Sequence, residues 1–416
     1  MFKKILAMAL AVLMVVAMGV SMTACSKEQA EIGGEVEVEV AEDDFKLGVI
    51  LLHDEASTYD LNFIEAVEKA AAALGLADDQ VIMMKNIPEG NECYEAAADL
   101  VDLGCDVIFA DSFGHEDYMI KAAKEFTDVE FCHATGTKAH TEGLANYHNA
   151  FASIYEGRYL AGVAAGLKLN EMIEAGTITP EQAKMGYVGA FTYAEVMSGY
   201  TSFYLGAKSV CPSVTMEVQF TGSWYDENEE KNAAIALMNN NCVIISQHAD
   251  SMGAPTACEE RNVPNVSYNG STVAACPNTF IVSSKIDWTP YIKLICESAQ
   301  NGVAIPADWT GTIETGSVVL TDVNTQAAAA GTVEKIEEVK AALVAGEVKV
   351  FDTATEGFIT VEGAPLASYL ADVDTDAAFE GDTEVVFDGY FHESEFRSAP
   401  YFNVNIDGIT LLNSKF

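Results

Sequence analysis

The chain has 416 residues, and its 63 Asp and Glu against 22 Lys and Arg give a formal net charge of −41. A nucleic acid needs a basic footprint, so this composition excludes a nucleic-acid partner in the ordinary electrostatic sense. Half the residues are apolar, which supplies core material for two or three domains and excludes a disordered chain despite the charge.

Residues 1–24 have the layout of a secretion signal: Lys3 and Lys4 supply the charged start, and an acid-free apolar run follows from Ile5 to Val20. Met22-Thr-Ala-Cys25 resembles a bacterial lipobox, in which small residues precede a cysteine that is lipidated and becomes the new N-terminus. The expectation is lipidation of Cys25 and a protein anchored at the extracytoplasmic face of the bacterial cell membrane. A plain signal peptide or a single membrane anchor is the alternative. Residues 25–44 read as an acidic tether, because every polar position of Glu35-Val-Glu-Val-Glu-Val40 is Glu and Gly33-Gly34 precedes it.

Short β-rich apolar runs then recur at 47–52, 81–84, 107–110, 129–132, 185–190, 215–220, 242–245, 263–267 and 279–283. Helical patterns separate most of them. Phe63, Val67, Ala70, Ala71 and Leu74 share one helical face, and Gly75 supplies a stop. Asp226 with Glu229 has capping-box spacing and opens a helix through Met238. The alternation predicts parallel sheets covered on both faces. It breaks once, between Cys132 and Met185, where a helix is expected over 150–169. Its small residues Ala161, Gly162, Ala164, Ala165 and Gly166 allow close packing. A break between two runs of strands predicts two α/β lobes with a cleft at the carboxyl ends of their strands. The tail from about Ala367 is acidic and then aromatic, and its rings predict that it packs back on the body.

Eight cysteines follow Cys25, without a CxxC pair or Cys/His metal spacing, and several lie in apolar runs such as that after Cys242. Buried free thiols are expected rather than a disulfide framework. No phosphate loop, dinucleotide fingerprint, nucleophile elbow or HExxH is present. Neither an enzyme nor a cofactor or metal site is therefore expected. His53 and His248 end strand patterns and read best as hydrogen-bonded structural histidines.

Four loops carry polar and aromatic residues directly after strands: 53–60, Asp111-Ser-Phe-Gly114, 221–226 and 247–253. Backbone N–H groups, small residues and rings at helix entrances suit a small polar ligand. Trp224 precedes a helix cap. It reads either as a core ring covering the helix start or as a platform for a flat heteroaromatic ring, with Tyr59, Phe113 and Phe191 as partners for the other face. Asp250 and Glu195 are acceptors for ring or exocyclic N–H groups, or else solvated or capping acids.

With these residues in view, the stretch from about Lys46 to Asn324 resembles the basic membrane protein (BMP) family, substrate-binding lipoproteins of ABC importers. The likeness rests on Lys46-Leu-Gly-Val-Ile with Ser57-Thr-Tyr-Asp-Leu-Asn62, Ser112-Phe-Gly114, Glu156-Gly-Arg-Tyr-Leu-Ala-Gly, Gly186-Tyr-Val-Gly-Ala190 with Glu195-Val, Gly222-Ser-Trp-Tyr-Asp226, Gln247-His-Ala-Asp-Ser251 and Ser284-Lys-Ile-Asp-Trp288. Val348-Lys-Val-Phe-Asp352 looks like the family's closing segment.

The resemblance implies a type I periplasmic-binding-protein fold, two doubly wound parallel-sheet lobes joined by a hinge. One lobe would comprise residues 45–147 and 285–312 and the other 148–284 and 313–365, leaving 366–416 as an extension that the likeness does not explain. It implies capture of a purine base or nucleoside, with Trp224 and Tyr59 or Phe113 clasping the base and Asp250 and Asn269 along its polar edge. Ser57, Asn62, Ser112, Gly114, Phe191, Glu195 and Lys285 complete the expected ligand set. Nucleoside-binding members carry an Asp where this chain reads Ser267-Tyr-Asn-Gly270, and their Gln-His-Thr-Asp-Ser becomes Gln-His-Ala-Asp-Ser here, which places a free base ahead of a nucleoside. The expected partner is an ABC permease, and the expected state a monomer. A sensor of the same fold and a surface-anchored nucleoside-cleaving enzyme are the rival readings.

Overall fold

The computed structural model describes residues 45–373 and 380–415. The expected signal at 1–24, Cys25, the tether at 25–44 and the tail acids Asp374 and Asp376 lie outside the described residues.

The chain begins β1 (Leu47–Ile50), α1 (Thr58–Leu74), β2 (Val81–Met84), α2 (Asn91–Asp102), β3 (Val107–Ala110), α3 (Glu116–Glu125), β4 (Glu130–Ala134) and β5 (Tyr147–Ala152). It continues through α4 (Ile154–Glu174), β6 (Lys184–Gly189), α5 (Ala194–Val210), β7 (Thr215–Phe220), α6 (Glu227–Asn239), β8 (Ile244–Gln247), α7 (Gly253–Arg261), β9 (Asn265–Tyr268) and β10 (Phe280–Ile286). The last long elements are α8 (Thr289–Asn301), β11 (Asp308–Gly311), β12 (Val318–Leu320), α9 (Thr332–Val344) and β13 (Ile409–Leu411).

One sheet has the order β11-β5-β4-β3-β1-β2 and the other β12-β10-β9-β8-β6-β7-β13. Every pairing is parallel except β12 against β10. Central strands such as β1 and β3 are buried at every residue, as a sheet with helices on both faces requires. The strand order reverses beside β1 in the first lobe and beside β6 in the second, the positions where such sheets open a crevice.

Each lobe has its own core. In the first, the Phe63 ring on α1 stacks on Trp288 at 4.6 Å, with Phe109, Phe151 and Tyr291 around them. In the second, α4 and α5 touch backbone to backbone. A Cβ on Gly162 would stand 2.0 Å from the Phe203 carbonyl, and one on Gly206 equally close to that of Tyr159. The close packing expected from the small residues of α4 is met, and a glycine on the partner helix makes it reciprocal.

Several expectations are corrected. The interval 133–184 contains β5, so the first crossing between lobes falls after Ala152 rather than at 147, and α4 starts at Ile154 rather than 150. β5 is hidden in the sequence because His148 and Asn149 resemble loop residues, yet both are buried and fully engaged. His148 meets Glu130 Oε2 at 2.8 Å and the Pro306 carbonyl at 3.1 Å. Asn149 donates to Gly136 O and Ser398 Oγ. The second crossing follows Ile286, and the third lies between Gly311 and Val318. Ser153 N–H donates to Gly311 O and Asp287 N–H to Ser317 O, tying the three crossings together. At the head of α6, Asp226 caps the Asn228 and Glu229 N–H groups as expected, but the carboxylate that returns to the Asp226 N–H is Glu230, not Glu229.

The stretch expected as a separate extension completes the second lobe. β13 lengthens its sheet beside β7, Asn413 bonds both the N–H and the carbonyl of Phe220, and Phe402 stacks on Phe351 at 4.4 Å. The expected packing of its rings on the body is met. From there Ser398 reaches the first lobe, donating through N–H and Oγ to the Asp308 carboxylate. All eight cysteines beyond Cys25 are buried free thiols.

Candidate functional site

The carboxyl ends of both sheets face one narrow, closed cleft. Leu52, His53, Tyr59, Asp60, Ser112, Phe113 and Thr135 line it from the first lobe, and Glu195, Trp224, His248, Asp250 and Tyr268 from the second. Except for Tyr268, the last residue of β9, each follows the end of a strand. The lobes are closed on each other. Thr58 donates to the Asp250 carbonyl through both N–H (3.1 Å) and Oγ1 (3.0 Å), and the rings of Phe113 and Tyr193 meet across the gap at 5.2 Å.

Of the residues expected from sequence, Tyr59, Ser112, Phe113, Glu195, Trp224 and Asp250 come together in the cavity wall. The other six stand outside the lining. Ser57 caps α1, accepting from the Asp60 N–H. Asn62 donates to the Ile286 carbonyl and ties α1 to the hinge strand. The Gly114 N–H is taken by Glu89. Asn269, with φ of 65°, donates to Asp250 Oδ1 at 3.2 Å and so orients that acid. Phe191 supports Trp224 edge-on at 4.9 Å, and Lys285 faces Glu65 at 3.4 Å. Leu52, His53, Asp60, Thr135, His248 and Tyr268 were not expected. His53 and His248 have the polar partners expected of structural histidines and also line the wall, which their place after a strand end signals.

In the first lobe two acids share the space behind the wall. Asp111 is wholly buried and accepts from the Leu52 N–H at 3.1 Å; burial, then the negative charge of Asp60, pushes its carboxyl well above the usual range. Burial acts on Asp60 in the same direction, but hydrogen bonding with His53 and Ser57 holds it below its ordinary value. Of the two acids Asp111 is thus the one whose protonated form its surroundings favour. Burial also holds His115 and His133 neutral, down to about 4. Thr135 adopts φ of 71°, a costly conformation for a β-branched residue, and its buried hydroxyl has no hydrogen-bond partner among the described residues.

In the second lobe Trp224 lies half-buried against Phe191 and Tyr193, and its carbonyl accepts from the Asp250 N–H. Burial, then Glu230, Asp60 and Glu195, pushes the Asp250 carboxyl well above the usual range. A protonated carboxyl both donates and accepts, so it can match an edge that alternates a ring nitrogen with an N–H. Beneath the loop, Glu230 accepts from the N–H groups of Asp226 and Ser251, and burial raises its carboxyl to about 7. The whole is a slot between the two lobes, with rings for walls and acids along its edge.

Such a slot between two hinged α/β lobes defines a solute-binding protein. The model of the Bmp family, described as ABC transporter substrate-binding protein PnrA-like, matches residues 48–353, and the chain belongs to that family of extracytoplasmic substrate-binding proteins. The chain is 33% identical over 256 residues to a purine-binding protein of Brucella abortus (strain 2308), covering 60% of this chain and 67% of that one. It is likewise 33% identical over 215 residues to a Haloferax volcanii protein named as a candidate ABC transporter glucose-binding protein, covering 52% of this chain and about half, 51%, of that one. An ABC transporter solute-binding protein from Conexibacter woesei shares the fold with a TM-score of 0.59 at 19% identity, over 73% of this chain and 98% of that one.

Proposed function

We propose that the protein captures a purine base, or a purine nucleoside, in the cavity between its lobes and delivers it to an ABC permease, tethered to the membrane through a lipidated Cys25. The observation that carries this reading is the pairing, in one slot, of Trp224 from one lobe and Phe113 and Tyr59 from the other with the Asp250 and Glu195 carboxyls. A flat base fits between rings, and its alternating N–H and ring-nitrogen edge fits acids that donate as well as accept. The likeness to a purine-binding relative supports the same choice. A micromolar site requires about 8 kcal/mol, and base stacking at about 1–3 kcal/mol per ring with two or three charge-assisted hydrogen bonds supplies its specific part. Ligand contacts to both lobes favour the closed state, which is how binding is signalled to the permease.

A hexose is the second reading, because rings and carboxyls also hold sugars and one relative is named for glucose. Thermal-shift and calorimetric titration of the purified protein with adenine, hypoxanthine, guanine, their nucleosides and glucose separates the two. Stabilisation by purines is expected. Response to glucose alone, or to none of the panel, would overturn the purine assignment. Recovery of a bound nucleoside cleaved to base and sugar after long incubation would favour an enzyme.

A further inference from the structure

Behind the second lobe's wall lies a buried cation that the ligand site described above does not use. Arg158, in the first turns of α4, is 1% exposed and, among the described residues, forms no ion pair with a carboxylate. One terminal nitrogen donates to the Gln247 carbonyl at 3.1 Å and the other meets His248 Nδ1 at 3.2 Å. The guanidinium carbon sits 3.3 Å over the Tyr268 ring, a cation–π contact in a desolvated place. His248 turns its other nitrogen, Nε2, toward Glu195 Oε1 at 3.4 Å. His248, Glu195 and Tyr268 all line the cavity, whereas Arg158 does not. Gly199 on α5 makes room for the arrangement, since a Cβ there would press on His248 Nδ1 at 3.2 Å.

Arginine has donors only. Nδ1 facing it must therefore be the acceptor nitrogen, and the single imidazole proton is left on Nε2, pointing at Glu195. We propose that Arg158 is a positioning residue that locks His248 in the neutral Nε2–H tautomer, and that His248 in turn orients Glu195 as the acceptor for an N–H donor of the ligand. The tautomer follows from the geometry alone; the ligand half rests on the purine reading above.

The titratable and charged groups facing His248 are Arg158 from α4, Glu195 from α5 and Tyr268 from β9; Tyr187 of β6 lies against the Arg158 guanidinium, and Tyr59 across the cleft and Asp250 act on Tyr268 and on each other. Burial, with Arg158 adding to it, keeps the ring neutral against the pull of Glu195. Without the Arg158 charge burial alone opposes the pull of Glu195, so His248 would take up a proton at higher pH than in the wild type and pair with Glu195, withdrawing it from the ligand as the pH falls.

The test is long-range proton–nitrogen NMR of the ¹⁵N-histidine-labelled protein between pH 5.5 and 8, with the His248 signals identified by their loss in His248→Gln. The expected wild-type result is an unprotonated Nδ1, a protonated Nε2 and no titration. A protonated Nδ1, or a titration near pH 6.5, overturns the proposal whether or not any purine binds. In Arg158→Gln, His248 should titrate, and adenine affinity should fall about tenfold between pH 8 and 5.5, while Arg158→Lys restores the flat profile. A flat profile in folded Arg158→Gln overturns the proposal. Should Arg158→Gln not fold, Glu195→Gln decides the second half: the wild-type His248 tautomer with about tenfold weaker adenine binding supports it, and unchanged affinity in a protein that binds adenine overturns it.

Discussion

The two lobes line one cavity but differ in what stands behind their walls. In the first lobe the buried titratable groups behind the wall are disfavoured as free charges: burial and Asp60 push Asp111 towards its protonated form, and burial lowers His115 and His133 to about 4. In the second lobe a buried guanidinium is retained and reaches Glu195 through His248. A buried charge costs several kcal/mol unless compensated, so it persists where it orients something. On the proposed reading the second lobe does the recognising, with its indole, its acids and its relay. The first lobe is assigned to closure, with rings and the Thr58 hydrogen bonds that land on the Asp250 carbonyl.

The most damaging way to break that asymmetry is Trp224→Ala. Loss of one base stack should weaken adenine binding on the order of 100-fold while the protein stays folded, since the indole is only half-buried; calorimetry with a thermal melt checks both. Unchanged affinity would return Trp224 to the role of a core ring. Asp250→Asn keeps the shape and the Asn269 contact but ends the exchange between donor and acceptor, and an affinity loss of about tenfold is expected by calorimetry at pH 7. Phe113→Ala, in the first lobe, should cost only about fivefold, because Tyr59 remains beside it. A larger loss than in Trp224→Ala would reverse the assignment of the lobes.

The smallest effect expected concerns stability away from the wall. Burial raises the Glu393 carboxyl, in the C-terminal stretch that completes the second lobe, to about 8, against an ordinary 4.5. Because the folded value lies above the unfolded one, its contribution is present in full below pH 4.5 and is lost as the pH rises through 8. The melting temperature should therefore decline from pH 5 to 8, and Glu393→Gln should raise it by a few degrees at pH 8 and reduce the slope, the remainder belonging to Glu230, Asp111 and Asp250. A wild-type profile that rises over this range would contradict the buried, protonated state.

Much of this was legible in the chain. The apolar runs at Leu47–Ile50 and Val107–Ala110 announce parallel strands because a sheet covered on both faces has no polar alternation. The residues that follow them, Tyr59, Ser112 and Phe113, are found by the rule that ligands meet the carboxyl ends of strands. Extended to every strand, the rule would have reached Thr135 after β4 and Tyr268 at the end of β9. β5 escaped because its His148 and Asn149 satisfy their polarity through Glu130, Gly136 and Ser398, partners up to 249 residues away.

Composition, periodicity and strand-end position thus determined by themselves the α/β class, the two lobes and six of the side chains that meet in the cavity, because each is a local property of spacing and hydrophobicity. The tertiary structure alone decided the rest. Whether Asn62 and Asn269 face a ligand or hold the scaffold, which glutamate closes the cap of α6, and where the tail's last strand adds all depend on partners distant in sequence. So does the state of His248, which is set by an arginine 90 residues earlier in the chain. Burial and pairing fix a titratable group's proton, and neither is written in the neighbouring residues.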